Sequence, residues 1–135
     1  AKPVAAYVPA VVSGNLVFTS GQLPFIEGKL PETGKVGASV NPDDAKTYAR
    51  QAVLNALAAV KSVIGDLDRI TRVVKVVGFV SSVPEFTGQP GVMNGASEFL
   101  VEVFGDKGVH ARSAVGVPSL PLDSAVEVEL VIEFN

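Results

Sequence analysis

Two short segments, one near each end of the chain, carry residue types that could bind a small acid. Ser20-Gly21-Gln22 closes one apolar, strand-like run, and Ala111-Arg112-Ser113 opens another. The guanidinium of Arg112 offers planar, paired N–H donors that suit a carboxylate. Gly21 has no side chain, so a ligand can approach its main-chain groups closely. Together the segments predict a binding corner for a small acidic metabolite rather than for a polymer.

The composition excludes several other kinds of site. The chain has 135 residues, no cysteine and one histidine. Disulfides, thiolate metal sites and a cysteine nucleophile are excluded, and a zinc site or a Ser-His-Asp triad is disfavoured. The net charge is −3 and the 11 basic residues are scattered. Because no basic track is visible, nucleic-acid binding is disfavoured.

The sequence also bears on location and assembly. No apolar run reaches membrane-spanning length without a charge or a turn, and no signal pattern opens the sequence, so we expect a cytoplasmic protein with no membrane partner. Residues 1–135 fit one domain. Because 47% of the residues are hydrophobic, we expect an oligomer whose interface hides apolar surface, with a very well packed monomer as the alternative.

The strongest secondary-structure prediction is a helix over residues 41–64. Asn41 suits the N-cap and Pro42 the first helical position, while Gly65 suits the position after the last turn. Its apolar residues recur at helical spacing and predict a buried stripe. This stripe comprises Ala45, Ala49, Ala52, Val53, Ala56, Leu57, Val60 and Ile64.

The remaining pattern predicts an α+β fold. A hairpin is expected over residues 7–12 and 16–19, and a long loop or a weak hairpin over 24–40. Strands are expected over 71–80, 113–117 and 125–134, and a second helix over 92–104. The inward residues of that helix are expected to be Val92, Ala96, Phe99, Leu100, Val103 and Phe104. Apolar and acidic residues alternate in the last strand, with Val126, Val128, Leu130 and Ile132 on one side. Both helices are therefore expected on one face of a mixed sheet, with the other face bare.

Several of these residues, taken in order, match a known family over nearly the whole chain. The sequence resembles the reactive intermediate deaminases, the RidA or YjgF-type proteins also labelled endoribonuclease L-PSP. The resemblance implies a chorismate-mutase-like subunit assembled as a homotrimer, with three clefts between subunits. The matching segments are Gly14-Asn15, Thr19-Ser20-Gly21-Gln22-Leu23-Pro24, Gln51, Asn55, Asn94, Ala111-Arg112-Ser113, Leu120-Pro121 and Val126-Glu127-Val128-Glu129.

The resemblance also implies an activity and assigns roles to residues. Family members hydrolyse 2-imino and enamine acids to 2-oxo acids and ammonia, a form of metabolite damage control. By position, Arg112 would bind the substrate carboxylate and Glu127 would activate the attacking water. Ser20 and Gly21 would line the opposite wall, and Tyr7 and Asn94 would shape the pocket. No metal or organic cofactor is expected.

Three features indicate a divergent branch of that family. Active members often have a cysteine two residues after the arginine and a proline two residues before it, where this chain has Ala114 and His110. The loop between Leu23 and Asn41 also looks longer than usual. A module that binds 2-oxo acids without chemistry is therefore an alternative function. An endoribonuclease is a weaker alternative, because a single histidine and a negative net charge suit RNA cleavage poorly.

Each candidate residue also has a purely structural interpretation. Arg112 could pair with an acid such as Glu127, and Glu127 could be one more solvated residue on a polar strand face. Ser20 and Gly21 could simply end a strand, Tyr7 could be a core or interface aromatic, and Asn94 could satisfy local backbone groups. His110 could be structural, or it could modulate the cleft through its charge.

Overall fold

A computed structural model describes residues 6–135 of the chain. Its strands are β1 (Ala10–Ser13), β2 (Leu16–Thr19), β3 (Ile70–Ser81), β4 (Ala111–Val117) and β5 (Val126–Phe134), and its helices are α1 (Pro42–Ile64) and α2 (Gln89–Phe104). The strands form one sheet in the order β1-β2-β5-β3-β4. Only β3 and β4 are parallel, and the other neighbours are antiparallel. Neither helix of the described residues is long and apolar enough to cross a bilayer.

Helix α1 forms where the capping residues predict it. The Asn41 side chain accepts a hydrogen bond from the Asp44 N–H at 2.8 Å, which satisfies one of the free donors at the helix start. Gly65 adopts φ 88° and donates its N–H to the Lys61 carbonyl at 2.8 Å. All eight residues of the predicted stripe are buried. The small alanines let α1 lie close to the sheet and to α2.

Several details differ from the sequence prediction, including β4, which begins at Ala111 rather than at residue 113. Strand β1 begins at Ala10, because Pro9 has no N–H to donate to a ladder, and Tyr7 lies outside it with 56% of its surface exposed. Helix α2 begins at Gln89, and Pro90 occupies its first turn, where a missing N–H costs nothing. Val103 was expected to face inward but is 53% exposed, whereas Phe104 beside it is partly buried against the core.

The two faces of the sheet differ, as the alternation in β5 predicts. Val126, Val128, Leu130 and Ile132 face the helices and are buried, whereas the alternate residues Glu127 and Glu129 point to the other face. No helix of residues 6–135 covers that second face, which we call the open face. It exposes 44% of Phe18 and 46% of Val115, which lie on β2 and β4. The predicted mixed sheet with two helices on one face and a bare apolar face is confirmed.

Side-chain hydrogen bonds hold the loop over residues 24–40 against α1, while isolated backbone bridges pair it with itself and with Ser82 and Ser124. The Asn55 amide donates to the carbonyls of Leu23 and Phe25 at 2.9 and 3.0 Å. The Tyr48 hydroxyl donates to Glu32 at 2.7 Å. Burial, followed by the hydrogen bond and the charge of Glu32, raises the pKa of Tyr48 to about 12.

Candidate functional site

Arg112 lies on the helix side of the edge strand β4 and reaches across to α2. It pairs with Val76 in the parallel ladder, and Val76 is buried beneath the helices. Its Nη1 donates to Asn94 Oδ1 at 2.9 Å and to Ser97 Oγ at 3.2 Å. Asn94 and Ser97 are three residues apart, so they lie on the same face of α2. The structure thus joins the predicted residues Arg112 and Asn94 and adds Ser97.

Ser97 connects Arg112 to the single histidine. Ser97 Oγ lies 2.8 Å from His110 Nε2, and His110 Nδ1 lies 2.6 Å from the Gly108 carbonyl. A carbonyl only accepts, so the network assigns the proton of the neutral imidazole to Nδ1. Nε2 then accepts from the Ser97 hydroxyl, and the Ser97 oxygen keeps lone pairs for Arg112. His110 is half-buried, and its two hydrogen bonds are structural. They connect the Gly108 carbonyl through His110 and Ser97 to Arg112.

This network leaves one edge of the Arg112 guanidinium unused. Nη1 carries two N–H groups, and Asn94 and Ser97 accept both of them. Within residues 6–135, Nε and Nη2 make no hydrogen bond, and no carboxylate lies within the 4.0 Å of a salt bridge. These two nitrogens present the parallel donors that bind a carboxylate in bidentate fashion. The interpretation of Arg112 as an ion-pair partner of Glu127 is wrong within one chain.

Glu127 forms a second group of candidate residues on the open face. It pairs with Phe79 on β3, and Arg112 pairs with Val76, three residues away; because this separation is odd, Glu127 and Arg112 point to opposite faces of the sheet. Its carboxylate lies over Gly21, where an added Cβ atom would overlap it. Burial, and to a smaller degree repulsion from Glu129, raises the pKa of Glu127. A half-buried carboxylate with a raised pKa is suited to accept a proton.

Ser20 and Tyr7 lie near this second group; Ser20 is fixed by hydrogen bonds, whereas the side chain of Tyr7 is exposed. The Ser20 hydroxyl donates to the Val8 carbonyl at 2.6 Å, and its N–H donates to the Pro9 carbonyl at 2.8 Å. These bonds fix the segment before β1 beside Gly21. Tyr7 adjoins Val8 and is exposed, so it is not a core aromatic. The predicted residues therefore fall into two sets, Arg112 with Asn94 and Glu127 with Gly21 and Ser20, which one chain does not bring together.

A cavity of about 670 Å³ opens at the carboxyl ends of the parallel strands β3 and β4. Ligands commonly bind at this end of parallel strands. Gly116, in its wall, lies on the same side of β4 as Arg112. The cavity is lined by Lys35, Ser82, Val83, Pro84, Phe86, Thr87, Gln89, Gly116, Val117 and Pro118.

Sequence reasoning missed both this cavity and Ser97. The i, i+3 spacing of Asn94 and Ser97 was a usable signal for the serine once Asn94 was a candidate. The cavity depends on the loop between β3 and α2 folding against the end of β4, which no local pattern predicts. Residues 6–135 hold no group of three or more His, Asp or Glu that could bind a metal ion.

Comparison with known proteins supports the resemblance. A family model described as "YjgF/chorismate_mutase-like, putative endoribonuclease" matches residues 1–134. Protein TCP17 of Trypanosoma cruzi is 44% identical over 100% of this chain and 85% of its own length. The 2-iminobutanoate/2-iminopropanoate deaminase of Escherichia coli is 33% identical over 95% of this chain and 87% of its own.

The fold agrees as well. A crystal structure of a protein of unknown function from Agrobacterium tumefaciens is 48% identical, with a TM-score of 0.94, over 99% of this chain and 86% of that one. The match of the family model to nearly every residue, together with these relatives, confirms the predicted membership. The chain belongs to the YjgF family.

Proposed function

We propose that the protein hydrolyses reactive 2-imino and enamine acids to 2-oxo acids and ammonia. The observation that carries this proposal is the unused edge of Arg112, a cation with no carboxylate partner among residues 6–135. Asn94 and Ser97 hold the guanidinium through Nη1 and leave Nε and Nη2 for a ligand. A small carboxylate fits this edge better than a phosphodiester chain, because the net charge is −3.

The chemistry follows from an acid bound in this way. The carboxylate of the substrate accepts two hydrogen bonds from Arg112, which fixes the neighbouring imine carbon. Water attacks the carbon of the protonated imine while Glu127 takes one of the water protons, so a C–O bond forms and the C=N π pair becomes the lone pair of an amine. Glu127 then gives that proton to the amine and takes the hydroxyl proton as the C=O bond forms, the C–N bond breaks, and ammonia leaves with a 2-oxo acid as product. An iminium carbon is already electrophilic, so the step uses no metal or organic cofactor.

The proposed site requires more than one copy of the chain. Arg112 and Glu127 point to opposite sides of one sheet, so a cleft that contains both takes them from two subunits. The open face, with exposed Phe18 and Val115, is an apolar surface that a second copy could cover. We therefore include in the proposal a homotrimer with three clefts, each with Arg112 from one subunit and Glu127 from its neighbour. The name of the Escherichia coli relative supports the reaction class.

The test is ammonia release from imines that an amino-acid oxidase generates in the assay. The wild type should exceed the spontaneous rate, and Arg112→Ala should fall to that rate. Arg72→Ala is the matched control, because Arg72 is exposed and makes only a 3.4 Å contact with the Val109 carbonyl. If the wild type and Arg112→Ala both match the spontaneous rate, the protein is not a deaminase of these substrates.

A second candidate is a module that binds 2-oxo acids without catalysis. Ala114 favours it, because this alanine occupies a position where the resemblance expects a cysteine. In that case 2-oxo acids would raise the melting temperature of the wild type but not of Arg112→Ala, and no imine would turn over. The endoribonuclease activity in the family description is a weaker candidate, and cleavage of RNA that Arg112→Ala abolishes would favour it.

A further inference from the structure

The cavity at the carboxyl ends of β3 and β4 is separate from the candidate site at Arg112. Its lining contains neither Arg112 nor the two α2 residues that hold the guanidinium. Gln89 and Ser82 fill the space over Gly116, where a Cβ atom would meet Gln89 Nε2 at 2.7 Å and Ser82 Oγ at 2.9 Å. Groups that the proposed reaction does not use would therefore recognise a ligand of this cavity.

Hydrogen bonds within the chain fix the walls of the cavity. The Val36 N–H donates to the Ser81 carbonyl at 2.8 Å, and the Val36 carbonyl accepts from the Val83 N–H at 3.1 Å. The Phe86 N–H donates to the Val83 carbonyl at 3.0 Å, and Gln89 Nε2 donates to the Phe86 carbonyl at 2.8 Å. A ligand therefore meets ordered walls, which lowers the cost of binding.

Most of the lining is apolar. Val83, Pro84 and Phe86 come from the segment after β3, and Val117 and Pro118 come from the end of β4. The volume of about 670 Å³ lies within the usual range for small-molecule pockets. Because aromatic rings pack well against one another, the ring of Phe86 favours an aromatic ligand.

The lining also contains one charged group, the ammonium of Lys35. It donates to the Pro118 carbonyl at 2.5 Å, which holds it at the wall. An ammonium has three N–H donors, so two remain for a ligand. Within residues 6–135 no carboxylate lies within 4.0 Å of Lys35, and Glu85 is not among the lining residues. The charge of the cavity therefore favours an anion.

We propose that this cavity binds an aromatic carboxylic acid, with its carboxylate at Lys35 and its ring against Phe86. The ring buries apolar surface, and the carboxylate accepts the free N–H groups of the ammonium. Gln89 Oε1 accepts no hydrogen bond from residues 6–135, so an N–H on the ring finds an acceptor there. This second site does not depend on the proposed function, because it uses no group of the Arg112 site.

The test is isothermal titration calorimetry with indole-3-acetate on Arg112→Ala, in which Arg112 cannot bind the carboxylate. Indole-3-acetamide has the same ring without the charge, and acetate has the charge without the ring. We expect indole-3-acetate to bind about threefold more tightly than the amide, the effect of one partly solvated ion pair. Acetate should bind at least about tenfold more weakly than indole-3-acetate, because it buries no ring.

Variants of Lys35 in the same Arg112→Ala protein assign the carboxylate to its partner. Lys35→Met should remove the preference for the acid over the amide, and Lys35→Arg should keep it. Lys107→Met is the matched control, because Lys107 is an exposed lysine outside the lining, and it should also keep the preference.

Three results would overturn the proposal and leave the proposed function standing. Indole-3-acetate that binds the wild type but not Arg112→Ala would lie at Arg112 rather than in the cavity. Failure of both the acid and the amide to bind either protein would leave the cavity without this ligand class. Equal binding of the two before any change at Lys35, or a preference for the acid that survives in Lys35→Met, would separate Lys35 from the carboxylate.

Discussion

The side chains of Arg112 and Glu127 point to opposite faces of one sheet, on two strands that both pair with β3. Arg112 is in register with Val76, which faces the helices, and Glu127 is in register with Phe79, which faces away from them. Rotamer changes cannot bring the two groups into one cleft, because the sheet lies between them. If both act on one substrate, they come from different copies of the chain.

This relationship predicts that two inactive variants restore activity to each other. Arg112→Ala and Glu127→Gln should each be inactive alone. In a proposed trimer that contains both variants, one of the three clefts takes Arg112 from one variant and Glu127 from the other, so about a third of the wild-type activity should return. Co-expressed variants with different tags, purified through both tags, provide the measurement. Mixed trimers without activity would show that the two residues do not share a cleft between subunits.

Much of the fold could be predicted because its signals are local. Asn41, Pro42 and Gly65 mark the ends of α1 to within a residue, and the alternation of β5 divides its residues between the two faces of the sheet. Strand order could not be predicted in this way. It depends on β5 entering between β2 and β3, a long-range pairing that no local pattern encodes.

The residues of the candidate site could be proposed from the sequence, but their arrangement could not. The paired donors of Arg112 indicate a carboxylate site from the residue type alone, whereas Glu127 is a candidate only through the family resemblance. Their placement on opposite faces follows from the registers of β4 and β5 against β3, which only the assembled sheet fixes. The link from His110 through Ser97 to Arg112 likewise requires α2 to lie over β4.

His110 and Ser97 should act together on carboxylate binding. Removing either one releases the hydrogen bond that helps to orient the guanidinium, so His110→Ala and Ser97→Ala should each weaken 2-oxo acid binding about two- to tenfold. The double variant should be little worse than either single variant, because both changes break one chain of contacts. Calorimetry on the four proteins measures this coupling. Strictly additive losses, or equal losses for the amide of the same ligand, would contradict it.

Glu127→Gln should stabilise the protein more as the pH rises. Burial raises the pKa of Glu127 in the folded state, so its charged form favours the unfolded chain. Below the usual glutamate pKa of about 4.3 the carboxyl is neutral in both states, and the variant should match the wild type. As the pH rises from there through the raised folded pKa, the wild type loses stability that the glutamine retains. Melting temperatures at about pH 4 and pH 7.5 measure the difference, and a gap that shrinks with pH would refute this sign.

The raised pKa of Tyr48 predicts that the protein loses stability at alkaline pH. The unfolded tyrosine has a pKa of about 10, whereas burial and Glu32 raise the pKa of folded Tyr48 to about 12. The contribution of Tyr48 to the free energy of unfolding is therefore fully present below about pH 10 and is lost as the pH rises toward 12. Tyr48→Phe lacks the 2.7 Å hydrogen bond to Glu32 and should be about 1 kcal/mol less stable at neutral pH. Chemical unfolding at several pH values should show the two proteins converging above pH 10, and parallel curves would contradict the assignment.

Gly21→Ala should slow catalysis more than it weakens ligand binding. A methyl group at this position overlaps the Glu127 carboxylate and must push it aside, whereas it leaves the hydrogen bonds that hold Arg112 intact. We expect kcat for imine hydrolysis to fall by at least about tenfold, within the range that a positioned general base supplies, with a smaller change in the Kd for 2-oxo acids. Gly91→Ala is the matched control, because a Cβ atom there meets nothing within 4 Å and the change should only favour α2. An equal loss of kcat in both variants, or a loss of affinity in Gly21→Ala that matches its loss of kcat, would separate Gly21 from the positioning of Glu127.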